Sequence, residues 1–330
     1  MPTWSLFPYR RLCEQFDTPL ESRAVVNKMV EEVLKIDEQF LKVMEDTIPL
    51  EQTPEYQIFV NFHTRLPRSS HEEFIREFDE ELGPLRSKLM DYKKWGEETM
   101  AQSVRSILGL PKKDLSNEEA IRCVMDPAVN RLLGEAMNVT SLDKLSRAMV
   151  HPHFTFKKKL SHTADSQDQR HRMIPGSRPI LAGHYIPEKP DYLFPIVIEK
   201  TPAAREYFEE VIAKTWIGIE RLRNRGVSDE FAFYLLPNAF PIRFEESGDL
   251  MSFHHKWTSR LCFNAQEEIW ASCKDEVMQV AKIYPAIGEF LGPPCSMRAR
   301  AGTKPICPEG DRFCGVPVWR LPLEQHSRIL

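Results

Sequence analysis

Apolar residues recur at helical spacing between residues 21 and 46: Val25, Val26, Met29, Val30, Val33, Ile36, Phe40 and Val43, with Glu and Lys between them. That period predicts a long amphipathic helix with one face turned to a core. The stretch SSHEEFIREFDEEL repeats the pattern, with Phe74, Ile75, Phe78 and Leu82 on one side and Gly83-Pro84 as a stop. SNEEAIRCVM opens a further helix, because Ser116 followed by Glu119 is a capping-box pair. The first 150 residues therefore read as mostly helical, with their apolar stripes as core.

The texture then changes. In HFTFKKKL, Phe154, Phe156 and Lys158 alternate with Thr155 and Lys157, the period of a short strand. One or two helical turns fit 163–171, ending before the turn signals Pro175 and Gly176. PAAREYFEEVIAKTWIGIERLRNRG predicts a strong helix between Pro202 and Gly226, striped by Tyr207, Phe208, Val211, Ile212, Ile219 and Leu222. SDEFAFYLLP reads as a helix ended by Pro237, FPIRFEE as a strand, and 249–261 and 264–282 as two more helices. After residue 292 the chain is rich in Pro, Gly and Cys and reads as irregular. The expected fold class is α+β.

Composition narrows the function. Hydrophobic residues make up 42% of the 330, enough for a sizeable core. A net charge of -4 speaks against a general nucleic-acid binder. No apolar run reaches membrane-spanning length, and MPTWSLFPYRRLCEQF lacks a signal peptide's apolar core. Seven cysteines, an odd number, suit a reducing compartment, so the expected location is cytoplasmic.

The densest chemistry lies in DQRHRMIPGS. Arg170, His171 and Arg172 follow Gln167 at the end of the short helix, and Lys157, Lys158 and Lys159 stand on the preceding strand. Only Asp165 and Asp168 oppose this charge locally. Taken alone, the triplet reads as a solvated basic surface. Guanidinium forks also suit phosphate, carboxylate or a base carbonyl. A companion appears in SRLCFNAQEEIW, where Arg260 precedes Ala265-Gln266 by four intervening residues, with Glu268 and Ile269 after them.

Together these segments resemble the flavin-dependent thymidylate synthases. The matches are His151 with Phe154, Thr155 and Phe156; Gln167 with Arg170, His171 and Arg172; the Leu236-Pro237 segment; and Arg260 with Ala265, Gln266, Glu268 and Ile269. They span roughly residues 110 to 290. On this resemblance the chain divides into a helical N-terminal region (1–110, a possible eroded companion domain), a thymidylate synthase-like core (111–292) and a Pro/Gly/Cys-rich tail (293–330). The resemblance implies FAD as cofactor, NADPH and methylenetetrahydrofolate as co-substrates, and methylation of a uridine nucleotide, dUMP or UMP, at C5. It also implies a homotetramer with active sites at subunit junctions. Arg170, His171 and Arg172 would face the flavin, together with His151 and His255. Gln167 and Arg260 would hold the pyrimidine, with Arg170 near it, so that Arg260 and Arg170 are the candidate catalytic residues. A guanidinium at a uracil carbonyl stabilises charge that develops as C5 attacks.

The chain departs from the family pattern after the triplet. Pro175 stands at the first Ser position, Ser177 at the Asn position and Ile180 at the second Ser, and the Arg-Tyr pair is missing. Ser177, Arg178, His184 and Tyr185 are the candidates for a rebuilt phosphate grip. A non-catalytic member that binds nucleotide or flavin, or supports assembly, is the alternative reading.

Cys295, Cys307 and Cys314 cluster near the end, with eleven and six residues between them. They are candidate zinc ligands with His326 or His255 as a fourth, although no Cys-x-x-Cys knuckle is present. An iron–sulfur cluster would need a fourth cysteine. His254 and His255 point about a third of a turn apart on a helix, which disfavours joint ligation. Glu77, Asp79, Glu80 and Glu81 read as a solvated face.

Overall fold

A computed structural model describes residues 19–43, 52–63, 65–135 and 143–328. In chain order its main elements are α1 (Leu20–Ile36), α2 (Pro54–His63), α3 (Arg68–Leu82), β1 (Ser87–Tyr92), α4 (Gly96–Leu108) and α5 (Asn117–Met125). There follow β2 (His153–Ser161), α6 (His162–Asp168), β3 (Gly176–Ser177), α7 (Pro202–Arg223) and β4 (Pro241–Asp249). The last are α8 (Leu250–Arg260), α9 (Glu267–Ile283) and α10 (Pro294–Ala301). The class is α+β, as expected.

The chain forms two compact units. The smaller is drawn from Met1–Arg76, Ile180–Lys189 and Thr215–Leu236. Within it Tyr185 stacks on Trp216 at 5.6 Å, and the Trp216 indole donates to the Ile186 carbonyl at 3.0 Å. The predicted first helix stops at Ile36, and a 3-10 turn, Glu38–Val43, follows it. Residues 44–46 lie outside the described residues. The stripe on α1 is not core: the helix buries none of its residues, and Val25 and Met29 are 55% and 49% exposed.

The larger unit, Glu77–Pro179, Pro190–Lys214 and Pro237–Leu330, holds the sheet. Its four strands are antiparallel in the order β1-β2-β4-β3. Strand β1 falls in the stretch expected to be helical. SKLMDY is short and carries no clean alternation, so periodicity alone did not mark it. On β2, Phe154, Phe156, Lys158 and Leu160 are all buried, which bears out the alternation read from HFTFKKKL. Phe156 faces Glu246 across the ladder and Lys158 faces Phe244, so two charged side chains sit on an otherwise aromatic inner face. Phe154 and Phe156 pack there against Phe253 and Trp257 of α8, with ring centroids 5.3–6.4 Å apart. Helices α4, α5 and α9 supply Met100, Val104, Ile121, Val124, Ile269 and Val277 to the same core.

The other face of the sheet is ionic. Asp79 of α3 accepts two hydrogen bonds of 2.8 Å from Arg243 and one of 2.7 Å from Lys159, and Glu81 pairs with Lys157. The carboxylates read as a solvated face therefore include an anchor: Asp79 clamps α3 to β2 and β4. The capping box at Ser116 and Glu119 forms as predicted. The tail is less irregular than expected, since Pro294 at N1 starts the eight-residue helix α10 and Gly302, with φ 69°, ends it.

Candidate functional site

The turn after α6 and the end of α8 meet in the larger unit. Ser161 caps α6 by accepting from the Ala164 amide at 3.2 Å, and the helix ends at Asp168. The chain then turns through Arg170–Arg172, held by Arg170 N donating to Gln167 O and His171 N to Asp168 O. Arg260, the last residue of α8, reaches this turn. Its Nε donates to His171 Nε2 at 2.9 Å, Nη2 to the Gln167 carbonyl at 3.1 Å, and Nη1 to Gln167 Oε1 at 3.4 Å. Three of the residues taken from the resemblance are thus one hydrogen-bonded group.

Arg260 can only donate, so His171 Nε2 accepts and its proton sits on Nδ1. Burial, with the charge of Arg260 added to it, pushes the His171 pKa down to about 3. The ring is neutral near pH 7. His255 lies beside it, ring centroids 5.7 Å apart. Arg170 and Arg172 are exposed on the same turn.

Beneath the turn lies a group that the sequence reading did not assemble. Lys158, Asp168, Glu246, Lys256 and Glu276 have side chains at most 1% exposed. Lys158 is 2.8 Å from both Glu246 and Glu276, and Lys256 is 2.7 Å from Asp168 and pairs with Glu246. Trp257 Nε1 donates to Glu276 at 2.6 Å. Burial disfavours the Asp168 and Glu276 carboxylates, but Lys158 and Lys256 outweigh it and hold both below the ordinary range. Burial instead pushes Glu246 up to about 7 against the same two lysines. With one proton on Glu246, two cations face two carboxylates and the cluster is neutral.

The other site residues are placed as follows. Arg178, a candidate for a rebuilt phosphate grip, is already paired to carboxylates. Its Nε donates to Asp165 at 2.9 and 3.2 Å, and its guanidinium lies 4.7 Å over Phe244 and 3.6 Å from Asp168. Asp165, read as a mere counter-charge, is its partner. Ser177 is exposed on β3, opposite Glu245. His184 and Tyr185 belong to the smaller unit, where the Tyr185 hydroxyl donates to Glu220 at 3.0 Å. His151 is not part of the Arg260 group. It lines a cavity of about 430 Å³ with Tyr92, Lys93, His153 and Thr155. Burial and Lys93 lower its pKa.

The Ala-Gln-x-Glu-Ile segment does structural work. Gln266 Oε1 accepts from the Glu268 and Ile269 amides at 3.0 and 2.9 Å and caps α9. Glu268 accepts from Ser161 N at 2.5 Å and Ser161 Oγ at 2.7 Å, and Ile269 is core. This ties the corner after Arg260 to the start of α6, so the residues around the turn and around Arg260 are held by one frame.

Cys295, Cys307 and Cys314 line one cavity, and Cys262, two residues beyond Arg260, lines it with them. His255 and His326 do not: His255 faces His171, and His326 Nε2 lies 3.2 Å from the Leu321 carbonyl. Among the described residues no three of His, Cys, Asp and Glu are gathered around a point that would hold a metal ion.

Residues 88–286 match the family model described as thymidylate synthase complementing protein. The chain belongs to the flavin-dependent thymidylate synthase family. It is 26% identical over 212 residues to the flavin-dependent thymidylate synthase of Sulfurisphaera tokodaii, covering 63% of this chain and 78% of that protein. It is 29% identical over 190 residues to that of Geobacter sulfurreducens (54% and 78% covered) and 26% over 152 residues to that of Saccharolobus solfataricus (44% and 56%). The family match begins at residue 88, with β1, well before residue 111.

Proposed function

We propose that this family member binds FAD and methylates a uridine nucleotide, dUMP or UMP, at C5, with NADPH and methylenetetrahydrofolate as co-substrates. The observation that carries this reading is the joined group of Gln167, His171 and Arg260. Two hydrogen bonds to Gln167 and one to His171 fix the plane of the Arg260 guanidinium, while the residue stays partly exposed. A fork held in this way suits a pyrimidine carbonyl and would stabilise charge that develops there as C5 attacks. Gln167 supplies a second polar contact. No side-chain nucleophile is needed.

The donor set also fits a flavin. Arg170 and Arg172 are exposed beside the neutral ring of His171, with the His255 ring next to it, and guanidiniums and imidazoles suit phosphates and a carbonyl-rich ring. When bound, flavin supplies the two-electron chemistry that methyl formation from a methylene donor needs. His171, neutral and protonated on Nδ1, can donate from that nitrogen. His151, with its own cavity, would complete the cofactor site from another copy of the chain in a homotetramer. Among the described residues no helix is long and apolar enough to cross a membrane, in keeping with a cytoplasmic enzyme.

One observation favours the second reading, a member that binds but does not turn over. Arg178 is committed to Asp165 and Asp168, and the chain has no Arg-Tyr pair to hold a nucleotide phosphate. Titration of the purified chain with FAD, then with dUMP and UMP, tests both. Flavin binding with nucleotide-dependent oxidation of reduced flavin by the folate donor supports the enzyme. Flavin binding without it supports the second reading. Absence of flavin binding overturns the enzyme, and absence of nucleotide binding as well overturns both.

A further inference from the structure

We infer that the C-terminal segment carries a 4Fe–4S cluster ligated by Cys262, Cys295, Cys307 and Cys314. The four residues come from three separate pieces of the larger unit. Cys262 follows α8, Cys295 is the second residue of α10, and Cys307 and Cys314 lie in the turns beyond it. All four line one cavity, whose remaining walls include Pro294 and Phe313. Convergence of four of the six described cysteines on one cavity is not explained by packing alone.

The geometry selects the kind of centre. A single zinc ion draws four thiolates to about 2.3 Å from one point, which leaves the sulfurs about 3.8 Å apart. Here the thiols surround a cavity, and no three potential ligands among the described residues converge on such a point. A four-iron cube holds its cysteines at its corners, further apart, and takes all four ligands from cysteine. Ligation displaces the four thiol protons and leaves a cluster of net charge -2 when its core is 2+. Two features of the surroundings favour that charge. Cys295 sits in the first turn of α10, where the helix dipole is positive. Arg328, anchored by its Nη1 to the Ala265 carbonyl at 2.6 Å, lies near enough to Cys262 and Cys314 to interact with their charge.

A second observation points the same way. Between residues 302 and 328 only Thr303, Val318 and His326 are buried, yet the segment follows a defined course of short turns. Hydrogen bonds pin it at intervals, from Asn264 to the Arg312 carbonyl at 2.5 Å and from Lys274 to the His326 carbonyl at 2.5 Å. A segment with so little core of its own needs a staple. The cluster would fasten it to Cys262, at the end of the helix that carries Arg260, and its role here is structural.

The test is elemental analysis of the full chain, expressed with iron and sulfide supplied and purified without oxygen. About four irons and four acid-labile sulfides per chain are expected, with zinc well below one equivalent. Because flavin also absorbs in the visible, the iron and sulfide counts decide. One equivalent of zinc without iron, or neither metal, overturns the inference. Cys262→Ser and Cys314→Ser should each reduce bound iron by more than half, whereas Cys123→Ser should leave it unchanged. Circular dichroism shows whether each variant is folded. A folded Cys262→Ser protein that keeps its full iron content overturns the assignment of the fourth ligand.

Discussion

Two groups of polar residues share the same two helices and behave in opposite ways. Helix α6 and its turn contribute Asp168 to one group and Gln167 and His171 to the other, while α8 contributes Lys256 and Arg260, one helical turn apart. The inner group, Lys158, Asp168, Glu246, Lys256 and Glu276, is closed to solvent, and every charge has a partner of opposite sign within 2.8 Å. The outer group is half-buried, and its one full charge, on Arg260, is met by neutral partners. The difference separates holding from binding. An ion in the inner group has its electrostatic demand met by the fold, whereas Arg260 keeps a charge that a ligand can use.

The largest expected effect comes from breaking the inner group. Lys256→Met removes the cation between Asp168 and Glu246 and leaves buried carboxylates short of a partner. The expected loss of stability is about 3–5 kcal/mol, read as a shift of the urea midpoint. A double variant, Lys256→Met with Asp168→Leu, removes opposite charges together and should recover part of that loss. If the single variant is as stable as the parent, the inner group is not a structural clamp, and the comparison fails at its stronger end.

Much of this arrangement is legible in the sequence, but unevenly. The helices α3, α7 and α9, the capping box at Ser116 and the strand at Phe154 could be read from spacing, because local periodicity and local caps decide them. Gln167, His171 and Arg260 could be named as a set through family resemblance, and the fold brings them together. What could not be read depends on partners distant in sequence. Lys158 was placed by alternation on the same side of its strand as Phe154 and Phe156, but nothing near it showed that Glu246 and Glu276 would meet it in the core. Arg178 looked available because its partner, Asp165, lies across a turn whose path is not set by local pattern. The exposed face of α1 was misread for the converse reason: an amphipathic stripe shows that a face is apolar, but not that anything within the chain covers it. Cys262 stood in plain view in SRLCFNAQEEIW, and only the return of the tail gave it company.

The outer group should respond differently. Arg260→Lys keeps the charge but replaces a planar fork, fixed by His171 and Gln167, with a flexible ammonium. A hydrogen bond to a charged group is worth about 1.5–3 kcal/mol, so affinity for the best-binding uridine nucleotide should fall roughly ten- to a hundredfold. Isothermal titration measures this, and flavin binding should persist because Arg170 and Arg172 are unchanged. Stability should fall by much less than in Lys256→Met. The opposite pattern, with stability lost and nucleotide affinity kept, would move Arg260 into the structural class.

The finest distinction is one of pH, and it lies in the helix common to both groups. His254 of α8 is 6% exposed, and burial, with His255 adding to it, pushes its pKa down to about 4. The unfolded value is near 6.5. Between these values the unfolded chain binds the proton and the folded chain does not, so stability due to this residue is present above pH 6.5 and is lost as pH falls toward 4. From pH 6.5 to 5 that loss amounts to about 1.5 kcal/mol. Glu246 acts in the opposite direction in the same window. Its folded pKa of about 7 lies above its unfolded value, so its contribution is full at low pH and is lost as pH rises toward 7. The two partly cancel in the parent chain, and its stability alone says little. Replacing His254 with Phe removes one side of the balance. The variant should then gain stability relative to the parent as pH is lowered from 6.5 to 5, measured as the difference in urea midpoints at each pH. A difference that stays flat across that window would mean that His254 keeps an ordinary pKa in the folded chain, and the interior of α8 would then be less dry than its role as the common support of both groups requires.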